Sequence, residues 1–132
     1  CFENAVDALK WQPGNRGFGH LASRALVVTA DLRAFAGTGE RYQAWIDGGL
    51  YAMSLMYALH SLGYGCCPLA WAANPATDRK ARAALGIPDS EVIIMMIAVG
   101  SLPENFSVAK AYRLPLAESF RVVQAAVPVE VV

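Results

Sequence analysis

The stretch Glu40–Trp71, ERYQAWIDGGLYAMSLMYALHSLGYGCCPLAW, constrains this chain more than any other. Its first part, Glu40 to Leu62, reads as a long helix. Ile46, Leu50, Met53 and Tyr57 recur along one face, and Trp45, Ala52, Leu55, Leu59 and Leu62 along another. A helix apolar on nearly every side belongs at the centre of a fold or between two layers. The adjacent Gly48 and Gly49 each lower helix propensity by about 1 kcal/mol. Glycines kept at that cost usually admit a close neighbour, and the expected neighbour is another helix rather than a ligand. Gly63 is placed to end the helix at C′. The tail Tyr64–Ala73 reads as extended or irregular, turned by Pro68.

Composition sharpens the reading of that helix. Hydrophobic residues make up 55% of the 132 and charged residues 17%. Soluble domains hold about 45–50% and about 25%. The excess points to surface that a partner subunit covers. A membrane segment is the competing explanation. However, the longest unbroken apolar run, Val92–Val99, has eight residues, and a bilayer span needs about 20. The 50–62 run is interrupted by Ser54, His60 and Ser61. No membrane segment is expected. Eleven Lys and Arg balance eleven Asp and Glu. With no basic stripe, nucleic acid is not an expected partner.

The remaining elements follow in order. Cys1–Trp11 has helical spacing at Phe2, Ala5, Val6 and Leu9, with Asn4 as cap and Pro13–Gly14 as stop. Gln12–Ser23 carries three glycines. It reads as a surface loop, or as a ligand-facing loop with Asn15, Arg16 and His20. It is neither a Walker loop nor a dinucleotide fingerprint. Arg24–Asp31 and Glu91–Gly100 are strands whose continuous apolar runs predict cover on both faces. Between them, Asn74–Pro75 opens a helix, with Thr77 as the other possible cap, and Gly86 closes it. Leu102–Ala109 is a loop, and Leu116–Gln124 has helical potential. Val127–Val132 has strand composition and suits an arm packed on something else. This order gives one α+β domain over residues 1–132, not a doubly wound sheet.

No constellation declares a reaction by spacing alone. Cys66 and Cys67 lack the second ligand pair of a zinc site, and no metal is expected. Cys67 as a nucleophile has no orienting histidine within sequence reach. Buried, inert thiols are the commoner fate. Three cysteines make no disulfide framework and fit free thiols in a reducing compartment, so a cytoplasmic protein is expected. No signal-peptide pattern is visible. No acid–base pair or triad stands out, so no catalytic side chain is assigned. Lys110 and Arg113 sit three apart in an otherwise uncharged stretch. Such a pair suits a phosphate or is simply solvated charge, and spacing alone favours the second.

Four segments together resemble the nitroreductase family of flavin proteins. DGGLYAMSLMYALHSLGYG at 47–65 is similar to its central helix, and CPLAW at 67–71 to its flavin-lining segment. ALGIPDSEVIIMMIAVGSL at 84–102 and VAKAYRLPL at 108–116 are similar to its later strand and its C-terminal basic motif. The resemblance implies an α+β fold with a central, mostly antiparallel sheet flanked by helices. It implies an intertwined homodimer with FMN at the interface, the long helix between subunits, and a C-terminal arm around the partner. It implies hydride transfer from NAD(P)H through FMN to a nitroaromatic, quinone or similar small-molecule acceptor.

Carried over by position, Cys67, Pro68, Leu69 and Ala70 are the flavin-ring residues, one of whose backbone N–H groups faces flavin N5. Lys110 and Arg113 become the phosphate ligands. Gly17, His20 and Trp71 are the candidates for the substrate pocket wall. Two features depart from the family. Ala111 stands where members often have serine, and the family's N-terminal, arginine-rich phosphate clamp has no counterpart. The expectation is therefore a domain incomplete at its N-terminus. The alternative function is a non-catalytic dimeric module that kept the fold and lost the redox site.

Overall fold

Residues 1–107 and 110–123 are described in a computed structural model of the chain. Strand β1 is Arg24–Asp31, helix α2 Gln43–Ser61, strand β2 Tyr64–Ala70, helix α3 Pro75–Leu85 and strand β3 Glu91–Ser101. A short helix α1, Ala5–Leu9, precedes them, and a single turn α4, Leu116–Ser119, follows. The strands form one antiparallel sheet in the order β1-β3-β2. This is the expected α+β arrangement, and β3 is central because it is the most apolar strand. Met96 and Ile97, at its middle, are each 0% exposed.

Side chains alternate across a strand, so the sheet divides its apolar residues between two cores. Ala25, Leu69, Met96 and Ala98 pack with Ala5, Ala8 and Leu9 of α1. Val28, Ile97 and Val99 pack with Ala52 of α2 on the other side. The two-sided cover predicted for β1 and β3 is therefore present. The alternation fails once. Val28 pairs with Met95 and Thr29 with Ile93, which leaves Ile94 as the extra residue of a β-bulge. Ile94 and Met95 consequently both pack on the α2 side.

That bulge explains one of the two glycines. A Cβ on Gly48 would stand 2.7 Å from Ile94 Cγ1 and 2.9 Å from its Cγ2. Gly48 thus admits the sheet, not another helix, which corrects the expectation of helix–helix packing there. A Cβ on Gly49 would meet nothing within 4 Å among the described residues. Gly48→Ala should destabilise the protein by about 1–3 kcal/mol in urea unfolding, because overpacking outweighs the gain in helix propensity. Ile94→Ala in the same chain should recover part of that loss.

The helix ends follow their capping residues. The Asn4 side chain accepts from Val6 N at 3.3 Å and starts α1. The Asn74 side chain accepts from Thr77 N at 2.9 Å, so Asn74 is the cap of α3 and Thr77 its donor. Gly63 has φ +83° just beyond α2, and Gly86 has φ +66° at the end of α3. Both are left-handed stops that glycine adopts without a Cβ penalty.

Within the one chain described, helix α2 is covered on one side. Ala44, Gly48 and Ala52 form its buried stripe against the sheet. Trp45, Ile46, Leu50, Tyr51, Met53 and Tyr57 are exposed. The segment predicted to be a helix from Leu116 is one turn long. The arm expected at Val127–Val132 lies outside the described residues. Among the described residues no helix is long and apolar enough to cross a membrane.

Candidate functional site

The segment after α2, expected to be extended or irregular, is extended: it is a strand. Tyr64–Ala70 pairs with Ser101–Met95 without interruption and forms an edge of the sheet. Pro68 turns nothing. It sits inside β2, where a residue without an N–H is tolerated only if that position faces away from the ladder.

The hydrogen bonds show that it does. The Ala70 carbonyl accepts from Gln12 Nε2 at 2.8 Å, so Ala70 points its main chain away from β3. On the far side of the sheet, the Val99 carbonyl accepts from Ser23 N at 2.8 Å and so points towards β1. Val99 is the β3 partner of Cys66. In an antiparallel pair the direction alternates with each residue. Cys66, Pro68 and Ala70 therefore face outward, and Cys67 and Leu69 bond to β3. Of the four residues Cys67–Ala70, only Ala70 presents a free N–H on the open edge.

The thiols point to opposite faces. Cys66 packs on the α2 side and Cys67 on the α1 side. Successive strand residues cannot converge on one ion. Burial pushes both thiols above the ordinary range, and the neighbouring Cys67 adds to the rise at Cys66. Raised thiol pKa values mean that the folded state favours the protonated form. That contribution is full below the unfolded thiol pKa and is lost as pH rises through the folded value. Cys66 and Cys67 should react slowly with a disulfide reagent in the native protein and fast after denaturation, while the exposed Cys1 reacts at once.

Trp71 is half-buried. Its indole packs with the α1-side cluster, and Nε1 donates to Asp78 Oδ1 at 2.8 Å. Arg82 Nε donates to Asp78 Oδ2 at 2.9 Å, one helical turn on, and Arg82 Nη1 reaches Asp89 at 3.2 Å. This relay fastens the end of β2 to α3.

Gly17 and His20 do come together. They line a cleft of about 240 Å³ with Lys10, Asn15 and Arg16. Gly17 has φ +89°, a left-handed conformation that favours glycine. A separate cleft of about 420 Å³ lies between Phe18–Ala22 and the Cys66–Cys67 end of β2. Lys110 and Arg113 are exposed and share a third cleft with Ala111 and Tyr112. Arg113 Nη1 donates to the Tyr112 carbonyl at 3.5 Å. No described hydrogen bond joins Lys110 or Arg113 to β2. The two cations line one cleft together, and none of Cys67–Ala70 lines it.

Residues 3–101 match the sequence model of the nitroreductase family. The chain belongs to the nitroreductase family. Solved structures of the same fold include an FMN-dependent nitroreductase from Clostridium difficile. It is 21% identical with a TM-score of 0.65, over 88% of this chain and 67% of that one. A nitroreductase family protein from Streptococcus pneumoniae is 19% identical with a TM-score of 0.69, over 92% and 75%. A variant of the FMN- and NADPH-dependent nitroreductase NfnB from Sphingopyxis sp. strain HMH is 28% identical with a TM-score of 0.60, over 82% and 47%. The chain thus spans from about half to three quarters of the length of these relatives. Comparison with curated proteins returned no match.

Sequence reasoning missed two residues that shape this nitroreductase edge, Gln12 and Asp78. Gln12 reads as part of a glycine loop, and its partner lies 58 residues away. Asp78 reads as a helix-dipole residue, although its four-residue spacing from Arg82 does signal an ion pair.

Proposed function

We propose that this chain is the flavin-binding core of an FMN-dependent oxidoreductase. It takes hydride from NAD(P)H and passes it to a nitroaromatic, quinone or similar small-molecule acceptor. The observation that carries the reading is the free Ala70 N–H on the open edge of β2. The rim of a flavin ring is lined with hydrogen-bond acceptors, and a fixed main-chain donor suits it. The bound flavin supplies the hydride chemistry.

The protein's part is to bind, orient and exclude water. Ala70 donates to the ring. Cys67 and Leu69 hold the strand flat through their bonds to β3. Pro68 leaves its edge position without a competing N–H. Lys110 and Arg113, with no carboxylate paired to them among the described residues, hold the phosphate. Gly17 and His20 line the approach for the acceptor. No side chain is asked to move a proton, which agrees with the two protonated thiols.

The uncovered face of α2 supports a homodimer. Trp45, Leu50 and Tyr57 are 49%, 67% and 66% exposed, and apolar side chains at this density suit a second subunit. The test of the binding claim is the purified protein itself. It should carry FMN, or take up added FMN with quenching of flavin fluorescence. A colourless protein that quenches none overturns the reading.

One observation favours a second reading, a non-catalytic dimeric module. The cleft that Lys110 and Arg113 line includes no residue of β2, so no described cleft holds both the proposed phosphate and ring ligands.

A further inference from the structure

Gln12 is the one buried polar residue among those described, at 6% exposure. It lies between Leu9, where α1 ends, and the turn Pro13–Asn15. Its carboxamide is engaged at both ends. Oε1 accepts from Gly14 N at 2.5 Å, and Nε2 donates to the Ala70 carbonyl at 2.8 Å. Each partner can play only one role, since Gly14 N must donate and a carbonyl must accept. The orientation of the amide is therefore fixed by chemistry. Its main chain is held as well. Gln12 N donates to Leu9 O at 3.0 Å, and Asn15 Nδ2 donates to Gln12 O.

The consequence falls on β2. As an outer strand among the described residues, it has no described neighbouring strand to fix its outward peptide groups. Gln12 takes the place of that neighbour at one residue. The Ala70 N–H and C=O belong to successive peptides that point the same way in a strand, so holding the carbonyl limits the rotation at Ala70 that would re-aim the N–H. From the other side, Trp71 is tied to Asp78 at 2.8 Å. The Ala70–Trp71 peptide is thus clamped between the α1 corner and α3, in a strand whose sequence carries both glycine and proline.

We infer that Gln12 is a positioning residue for the flavin. It touches Ala70 rather than the ring, and it sets the angle at which the Ala70 N–H is offered. The inference rests on the flavin reading above. A preorganised donor binds more tightly because its ordering is completed before the ligand arrives.

The test is FMN titration by fluorescence quenching, with Gln12→Glu compared with the unaltered protein at the same pH. A carboxylate at this position cannot donate to the Ala70 carbonyl, whereas the protonated acid can. Burial at this 6%-exposed position raises the carboxyl above its ordinary range, so Gln12→Glu should raise the Kd for FMN about tenfold at about pH 8 and by less than about threefold at about pH 5. Val28→Ala lies in the other core. At a comparable loss of thermal stability it should leave the Kd within about twofold. Equal affinity of Gln12→Glu and the unaltered protein at both pH values overturns the positioning role and leaves the flavin reading standing. If the unaltered protein binds no FMN, the flavin reading fails first and takes this role with it. Should Gln12→Glu not fold, amide exchange in the unaltered, FMN-free protein decides. The Gln12 carboxamide protons must be protected there, and the Ala70 amide must slow further when FMN is added. Freely exchanging carboxamide protons overturn the inference.

Discussion

Met96→Ala should cost the fold about 2–5 kcal/mol, the range for removing a large side chain from a filled core. Met96 is 0% exposed at the centre of the middle strand. It touches the cluster built from Ala5, Ala8, Leu9, Leu69 and Ala98. Three of those neighbours are alanines with no longer side chain to swing into the gap. Phe2, Trp11, Phe18 and Trp71, half-buried at the rim of the cluster, are the side chains that can close part of the cavity, and that places the loss towards the middle of the range. The expected result is a lower urea midpoint with an unchanged slope. Leu69 of β2 lines the same cluster, so β2 should loosen with it. A midpoint shift below about 1 kcal/mol would show that the two-core division of the sheet is wrong.

The second large effect is on ligand binding. Arg113→Ala should weaken FMN binding about 10- to 100-fold, the size of a charge-assisted contact to a phosphate. The fold should be unmoved, because Arg113 is exposed and its one described contact is the neighbouring Tyr112 carbonyl. Arg79→Ala, an exposed cation on α3, serves as the control and should change nothing. The same titration with riboflavin, which lacks the phosphate, should not distinguish Arg113→Ala from the unaltered protein. If Arg113→Ala binds FMN normally, the C-terminal basic pair has no phosphate role and the non-catalytic reading gains.

Much of this architecture was legible before any coordinates. The continuous apolar runs of β1 and β3 required cover on both faces, and both faces are covered. Asn4, Asn74, Gly63 and Gly86 stood where capping chemistry puts them. What failed were features that depend on distant partners. Pro68 was expected to turn the segment, yet an edge strand tolerates it, and edge position is not written locally. Gly48 was read as a helix–helix contact because the bulge at Ile94 that fills it lies 46 residues on. The candidate site was legible only through resemblance. Cys67–Ala70 and Lys110–Arg113 were found by their likeness to family motifs, not by their chemistry. That Ala70 alone of its segment keeps a free outward N–H could be read only from hydrogen bonds. The same holds for Gln12, whose role needs a partner 58 residues away.

The cysteines illustrate the limit in the other direction. Two adjacent thiols invite a reactive or metal-binding role. A strand sends them to opposite cores, and burial raises both pKa values, so the backbone beside them matters more than they do. The uncovered side of α2 follows similar logic. Its buried stripe is small residues, which let the helix lie close to the sheet, and its large apolar residues are left exposed.

The central claim is hydride transfer through a flavin held by this chain, and one anaerobic experiment tests it most directly. The FMN-loaded protein is mixed with NADPH or NADH, and the flavin absorbance is followed before and after adding a nitroaromatic or a quinone. The account predicts bleaching by the nicotinamide and recovery of colour on adding the acceptor. Protein that binds FMN yet stays yellow with both nicotinamides would contradict it and leave the non-catalytic module as the better description.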